Sequence, residues 1–99
     1  MAVRIDREQN ELRALKDVGG WHGLRVIDIG CGEGRLALRI ARLGPRLIDA
    51  LDPDREKIRA ARQHVPGKYA KLIRYRVGMA EDLRYPDDTF DRAVFSWSL

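Results

Sequence analysis

The stretch "RVIDIGCGEGRLALRIA", residues 25–41, leaves few folds open. It begins as a short run of branched apolar residues, the composition of a strand buried on both faces of a parallel sheet. Glycines follow at 30, 32 and 34, each one residue from the next. Leu36, Ala37, Ile40 and Ala41 then recur at helical spacing, opposite Arg35, Arg39 and Arg42. A strand that runs through glycines into an amphipathic helix is the first half of a crossover connection. Parallel strands need such crossovers.

The rest of the chain repeats the alternation. Gly44 and Pro45 end the helix. "RLIDALD" (46–52) reads as a second strand, and Asp54 stands where it caps a second helix with apolar positions Ile58, Ala61 and Val65. "PGK" (66–68) is a loop. In "KLIRYRV" (71–77) Ile73, Tyr75 and Val77 alternate with Arg74 and Arg76, as in an edge strand with one wet face. "RYPDDTFD" (84–91) is rich in turn formers, and "RAVFSWSL" (92–99) reads as an apolar interior strand. The pattern predicts an α/β fold with a Rossmann-like parallel sheet. Upstream, residues 6–17 carry Leu12 and Leu15 on one side of an amphipathic helix, which "VGGWHG" (18–23) breaks. Residues 1–23 are therefore read as a helix and linker, with Trp21 expected to pack that helix onto the sheet, and 24–99 as the domain.

At 99 residues the chain holds at most one small domain. No apolar run approaches the ~20 residues of a membrane span, and the charged amino terminus does not resemble a signal peptide. The lone cysteine, Cys31, excludes an internal disulfide and fits a reducing compartment, so a cytoplasmic location is expected. The net charge of +4 invites a nucleic-acid reading. The arginines are dispersed, however, with 35, 39, 42 and 55, 59, 62 forming solvated faces of two helices rather than a phosphate-tracking stripe. His22 and His64 lack ligand spacing, so no metal site is expected.

In open α/β sheets ligands bind beyond the carboxyl ends of the strands, where "GCGEG" falls. The start of the following helix offers free N–H groups to an anion. Yet Gly30, Gly32 and Gly34 read G-x-G-x-G, not the G-x-G-x-x-G of a dinucleotide site. Asp28, two positions before the first glycine, would repel a phosphate and attract an ammonium group, which points toward an amino acid-like ligand. Asp52 ends the second strand, where an acidic side chain accepts from ribose hydroxyls. With Asp54 as the cap, Asp52 is expected to be free for that role. "GMAEDL" (78–83) ends the third strand, and its backbone with Glu81 or Asp82 can read an adenine edge. Cys31, between two glycines, reads as a gap filler rather than a nucleophile.

With these stretches in order, the chain resembles the amino-terminal portion of a class I S-adenosylmethionine-dependent methyltransferase. "VIDIGCGEGRLALRIA" is similar to the family's first motif, "LIDALDPD" to its acidic second-strand motif, "GMAEDLRYPDDTFD" to its adenine-side motif and "FDRAVFSWSL" to its fourth strand. The resemblance implies S-adenosyl-L-methionine as cofactor and a sheet order of 3-2-1-4, counting strands from residue 24. It implies that Asp28, Gly30 and Gly32 surround the methionine part, with Cys31 and Gly34 also in the cofactor-binding loop, and that Asp52, with Pro53 beside it, holds the ribose. Ala80 then offers its backbone to adenine with Glu81 or Asp82 nearby, and Ser96 lies near the amine or the methyl.

Met79 stands where many similar sequences have an aspartate, so apolar packing replaces an acceptor for the adenine amino group. The family's sheet normally has seven strands, whereas this chain ends after the fourth counted from residue 24. The expected activity is methyl transfer to an unidentified acceptor, a small molecule favoured, with no general base to nominate and Trp97 assigned to the core. A non-catalytic cofactor-binding or regulatory module that partners a longer chain is the rival. A nucleotide-dependent oxidoreductase is disfavoured by the glycine spacing. Because the fourth strand has no outer neighbour in this reading, residues 93–99 are expected to pair with a second copy or a partner.

Overall fold

The computed structural model describes residues 2–5, 20–79 and 89–96, with the backbone alone at 2–5 and 96. Five strands, β1 (Ala2–Ile5), β2 (Arg25–Ile29), β3 (Leu47–Asp52), β4 (Ile73–Val77) and β5 (Arg92–Ser96), form one sheet. Two helices, α1 (Arg35–Ala41) and α2 (Arg55–His64), make the crossovers β2–α1–β3 and β3–α2–β4. The spatial order is β1-β5-β2-β3-β4, with every pairing parallel. From β4 to β5 this is the order 3-2-1-4 expected from residue 24 onward.

The register explains which residues form the core. Asp28 lies opposite Val94 on one side and Ala50 on the other, and Ala50 lies opposite Tyr75. Alternation then puts Val26, Ile48, Ala50, Ile73, Tyr75 and Val94 on one face of the sheet. They share a single buried cluster with Leu36, Ala37, Ile40 and Ala41 of α1 and Ile58 and Ala61 of α2. Both helices therefore cover the same face. Trp21 joins this cluster, and the Arg92 guanidinium sits 4.5 Å from its ring centroid.

On the opposite face of β3, Asp49 is completely buried. Arg76 Nη2 and Arg74 Nε, from the neighbouring edge strand, reach its two oxygens at 2.6 and 3.3 Å. The two arginines that make β4 look wet thus serve as partners for a buried carboxylate. Such a carboxylate is costly unless paired. Arg62 of α2 donates from Nε and Nη2 to the Tyr75 carbonyl, at 3.0 and 2.7 Å. This satisfies an acceptor on the outer edge of the sheet, where a foreign strand would otherwise pair.

The expectation of an uncovered fourth strand is corrected. β1 pairs in parallel with β5, from Ala2 beside Ala93 to Ile5 beside Ser96. The edge that invited self-association through 93–99 is occupied by the chain's own amino-terminal residues. Sequence reasoning assigned no strand to 2–5, because four residues carry too little periodicity to announce one. The helix expected over 6–17 and Trp97 lie outside the described residues. Among the described residues no helix is long and apolar enough to cross a membrane.

Candidate functional site

The chain leaves β2 over the carboxyl end of the sheet and is held there by its neighbour. The N–H groups of Gly30 and Cys31 both donate to the Leu51 carbonyl, at 2.8 and 2.9 Å. Gly34 N–H closes the turn on the Cys31 carbonyl at 3.0 Å. Gly32 has φ +58 and Gly34 φ +88, values that side-chain-bearing residues adopt only at a cost. The two glycines differ in what a side chain would meet. Among the described residues a Cβ at Gly32 would find nothing within 4 Å, whereas at Gly34 it would stand 2.6–2.8 Å from the Tyr75 ring and hydroxyl. Gly32 borders open space; Gly34 is needed for packing.

The two aspartates after β3 have distinct tasks. Asp54 Oδ1 accepts from Glu56 and Lys57 N–H at 2.9 and 3.2 Å, so Asp54 is the N-cap of α2 as expected. Asp52 is not idle in consequence. Its Oδ2 accepts from Gly32 N–H and its Oδ1 from Asp54 N–H, both at 2.8 Å. The carboxylate ties the glycine loop to the turn after β3, which corrects the expectation that Asp52 is free. An ionised carboxylate has about four acceptor positions. Two are used in this way. The backbone adds a third link, since Gly78 N–H donates to the Asp52 carbonyl at 3.0 Å.

Asp28 is completely buried, on the face of β2 that carries the helices. Burial pushes the Cys31 thiol well above its ordinary range, and the charges of Asp28 and Asp52 add to the effect. Cys31 therefore stays protonated and makes no nucleophile. The Tyr75 phenol is raised in the same way, by burial first and then by Cys31 and Asp28. Tyr75 is expected from sequence only on one face of an edge strand, with Ile73 and Val77, and not at the site. The available signal was Ala50, a small residue between two larger positions, but only the register shows that Tyr75 reaches over it.

Pro53 is exposed beside Asp52, and Met79 is exposed just past β4. Ser96 falls at the end of β5, beside the same rim. Ala80, Glu81 and Asp82 lie outside the described residues. The fit to S-adenosylmethionine is good on geometry alone: a buried acceptor carboxylate next to a glycine whose missing side chain leaves room for a ligand.

Residues 26–99 match the family model described as a methyltransferase domain. The chain belongs to this methyltransferase domain family. The family's cofactor is S-adenosylmethionine. A ubiquinone biosynthesis O-methyltransferase from Methylocella silvestris is 45% identical over 72 residues, covering 73% of this chain and 27% of the relative. One from Rhizobium rhizogenes is 42% identical over 89 residues, covering 90% and 35%. The crystal structure of an S-adenosylmethionine-dependent methyltransferase from Mesorhizobium loti superposes with a TM-score of 0.76 at 28% identity, over 91% of this chain and 40% of that one. The methyltransferase domain seen here thus spans about a third or less of the length of these curated relatives.

Proposed function

We propose that this chain is the cofactor-binding half of an S-adenosylmethionine-dependent methyltransferase that methylates a small molecule. The observation that carries the reading is the junction of Asp52 with Gly32, an oriented carboxylate bordering open space at the carboxyl ends of β2 and β3. When bound, S-adenosylmethionine supplies a methyl group activated by a sulfonium. The chain's residues supply position. Asp52, with Pro53 beside it, accepts from the ribose hydroxyls through the lone pairs left by Gly32 and Asp54. Gly30, Cys31 and Gly32 bring backbone to the methionine part, with Asp28 supplying negative charge beneath them. Ala80, with Glu81 or Asp82, reads adenine, and the exposed Met79 offers it apolar surface. Ser96 stands near the amine or the methyl.

Alignment of two bound partners and exclusion of water are the main demands of such a transfer. No residue of the chain is nominated as a general base. The relatives are named for O-methylation in ubiquinone biosynthesis and, in rice, for methylation of 2-methyl-6-phytyl-1,4-hydroquinone. We carry over a hydroxylated aromatic ring as the acceptor class. The single cysteine keeps a cytoplasmic location with this reading. A non-catalytic cofactor-binding module is the rival reading, and the absence of a nominated general base leaves it to be tested.

Titration with S-adenosylhomocysteine and, separately, NAD tests the proposal. Amide shifts at Gly30 to Gly34 and around Asp52 with the first ligand alone are expected. A folded chain whose loop amides ignore saturating S-adenosylhomocysteine would overturn it. A methyl-transfer assay with a dihydroxylated aromatic acceptor then separates the enzyme from the module.

A further inference from the structure

The edge strand β4 sends one side chain across its neighbour to the glycine loop. Tyr75 is 5% exposed, and its hydroxyl lies 3.4 Å from the Gly34 carbonyl. The path is open because Ala50 is opposite Tyr75 on β3, and its methyl leaves space for a ring to pass over. At the far end the ring takes the volume that a side chain at 34 would need. Gly34 is the N-cap of α1, its carbonyl also accepts from Leu38 N–H, and its own N–H closes the loop on Cys31. A shift of the ring would therefore be transmitted to Gly32 and Asp52 through the Gly34–Cys31 and Gly32–Asp52 hydrogen bonds, at 3.0 and 2.8 Å.

We propose that Tyr75 is a positioning residue for cofactor binding, its ring setting the height of the 32–34 loop and its hydroxyl holding the Gly34 carbonyl. The inference rests on the cofactor reading of this loop. Tyr75 touches no ligand in it and acts through Gly34. Asp52 and Tyr75 then support the loop from two sides, Asp52 at its middle and Tyr75 at its carboxyl end. Their environments differ: burial and the nearby Cys31 and Asp28 favour the neutral phenol, so Tyr75 remains a donor throughout the physiological range.

The test uses Tyr75→Phe, which keeps the ring, and Tyr75→Leu, which loses it, with two readouts on the full chain. Amide exchange without ligand reads the loop directly. In Tyr75→Phe, Gly32 and Gly34 should exchange on the order of 10-fold faster, while Ile27 and Ile48 in the sheet stay as in wild type. Calorimetry with S-adenosylhomocysteine should show ~2- to 10-fold weaker binding for Tyr75→Phe, the effect of one hydrogen bond. Tyr75→Leu, which loses the ring as well as the hydroxyl, should bind at least 10-fold more weakly than wild type, about 1.4 kcal/mol. Loop exchange at the wild-type rate in Tyr75→Phe overturns the proposal. So does a lower melting temperature with unchanged affinity, because a merely structural role would give that. A wild-type chain that binds no S-adenosylhomocysteine sinks the cofactor reading, and the positioning role falls with it. The exchange rates would still show whether Tyr75 holds the loop, so the two failures are told apart.

Discussion

The Oδ2 of Asp52 accepts the backbone N–H of Gly32 at 2.8 Å, joining the end of β3 to the middle of the glycine loop. Neither group can shift without the other. The acceptor proposed for the ribose and the backbone proposed for the methionine part are therefore set relative to one another before any ligand arrives. Such preorganisation lowers the ordering cost of binding.

Asp52 and Asp54 should separate affinity from stability. Asp52→Ala removes an acceptor of ligand hydrogen bonds and a loop tether, and should weaken S-adenosylhomocysteine binding ~10- to 100-fold. Asp54→Ala removes only the cap of α2 and should cost about 1 kcal/mol of stability with affinity nearly unchanged. Calorimetry and urea denaturation on both variants decide the matter. A tight-binding Asp52→Ala would reverse the assignment.

The glycines divide along the same line. Gly32→Ala places a methyl in open space, so its stability cost is that of the backbone angle alone, roughly 1–2 kcal/mol. The same methyl occupies the ligand's side of the loop, and affinity should fall at least 10-fold, about 1.4 kcal/mol. Gly34→Ala pays for the angle and for collision with Tyr75, and should destabilise by roughly 2–4 kcal/mol. Denaturation midpoints that rank Gly32→Ala below Gly34→Ala would contradict the packing described here.

Alkaline pH should weaken the fold. The thiol of Cys31 and the phenol of Tyr75 have pKa values raised above their ordinary 9.0 and 10.0. The folded chain keeps these protons where the unfolded chain has released them. Their stabilisation is complete below pH 9.0 and is lost as pH rises above the ordinary values, by up to ~1.4 kcal/mol per pH unit for each group. Cys31→Ala should delay the decline toward pH 10.0, where Tyr75 begins to contribute. Urea midpoints across a series of pH values on both proteins measure the onset.

Removal of residues 2–5 tests the role of β1. The deletion leaves Arg92–Ser96 as the outer strand, with the groups that paired with β1 exposed. Sedimentation velocity should show concentration-dependent association of the deleted chain under conditions where the full chain does not associate. Identical sedimentation of the two would mean that β1 does not guard this edge.

Local features of the chain were legible in its sequence. Periodicity fixes which sides of 35–41 and 55–64 face inward, and Asp54 announces the start of α2, because these depend on residues within a few positions of each other. The glycine spacing and the acidic end of β3 likewise located the loop and marked the kind of ligand it suits. Contacts between strands were not legible, since they depend on which strands become neighbours and in what register. Asp49 looks like an interruption of an apolar strand until Arg74 and Arg76 are seen beside it. Ala2–Ile5 is too short to declare itself, and becomes a strand only because β5 has an edge to offer. Tyr75 meets Gly34, 41 positions away, because Ala50 happens to stand between them in space. The sequence by itself thus determined the two crossover helices, the strands they join and the glycine loop between them. Tertiary structure alone decided what holds the site in place, because a hydrogen bond across three strands has no signature in the residues near either of its ends.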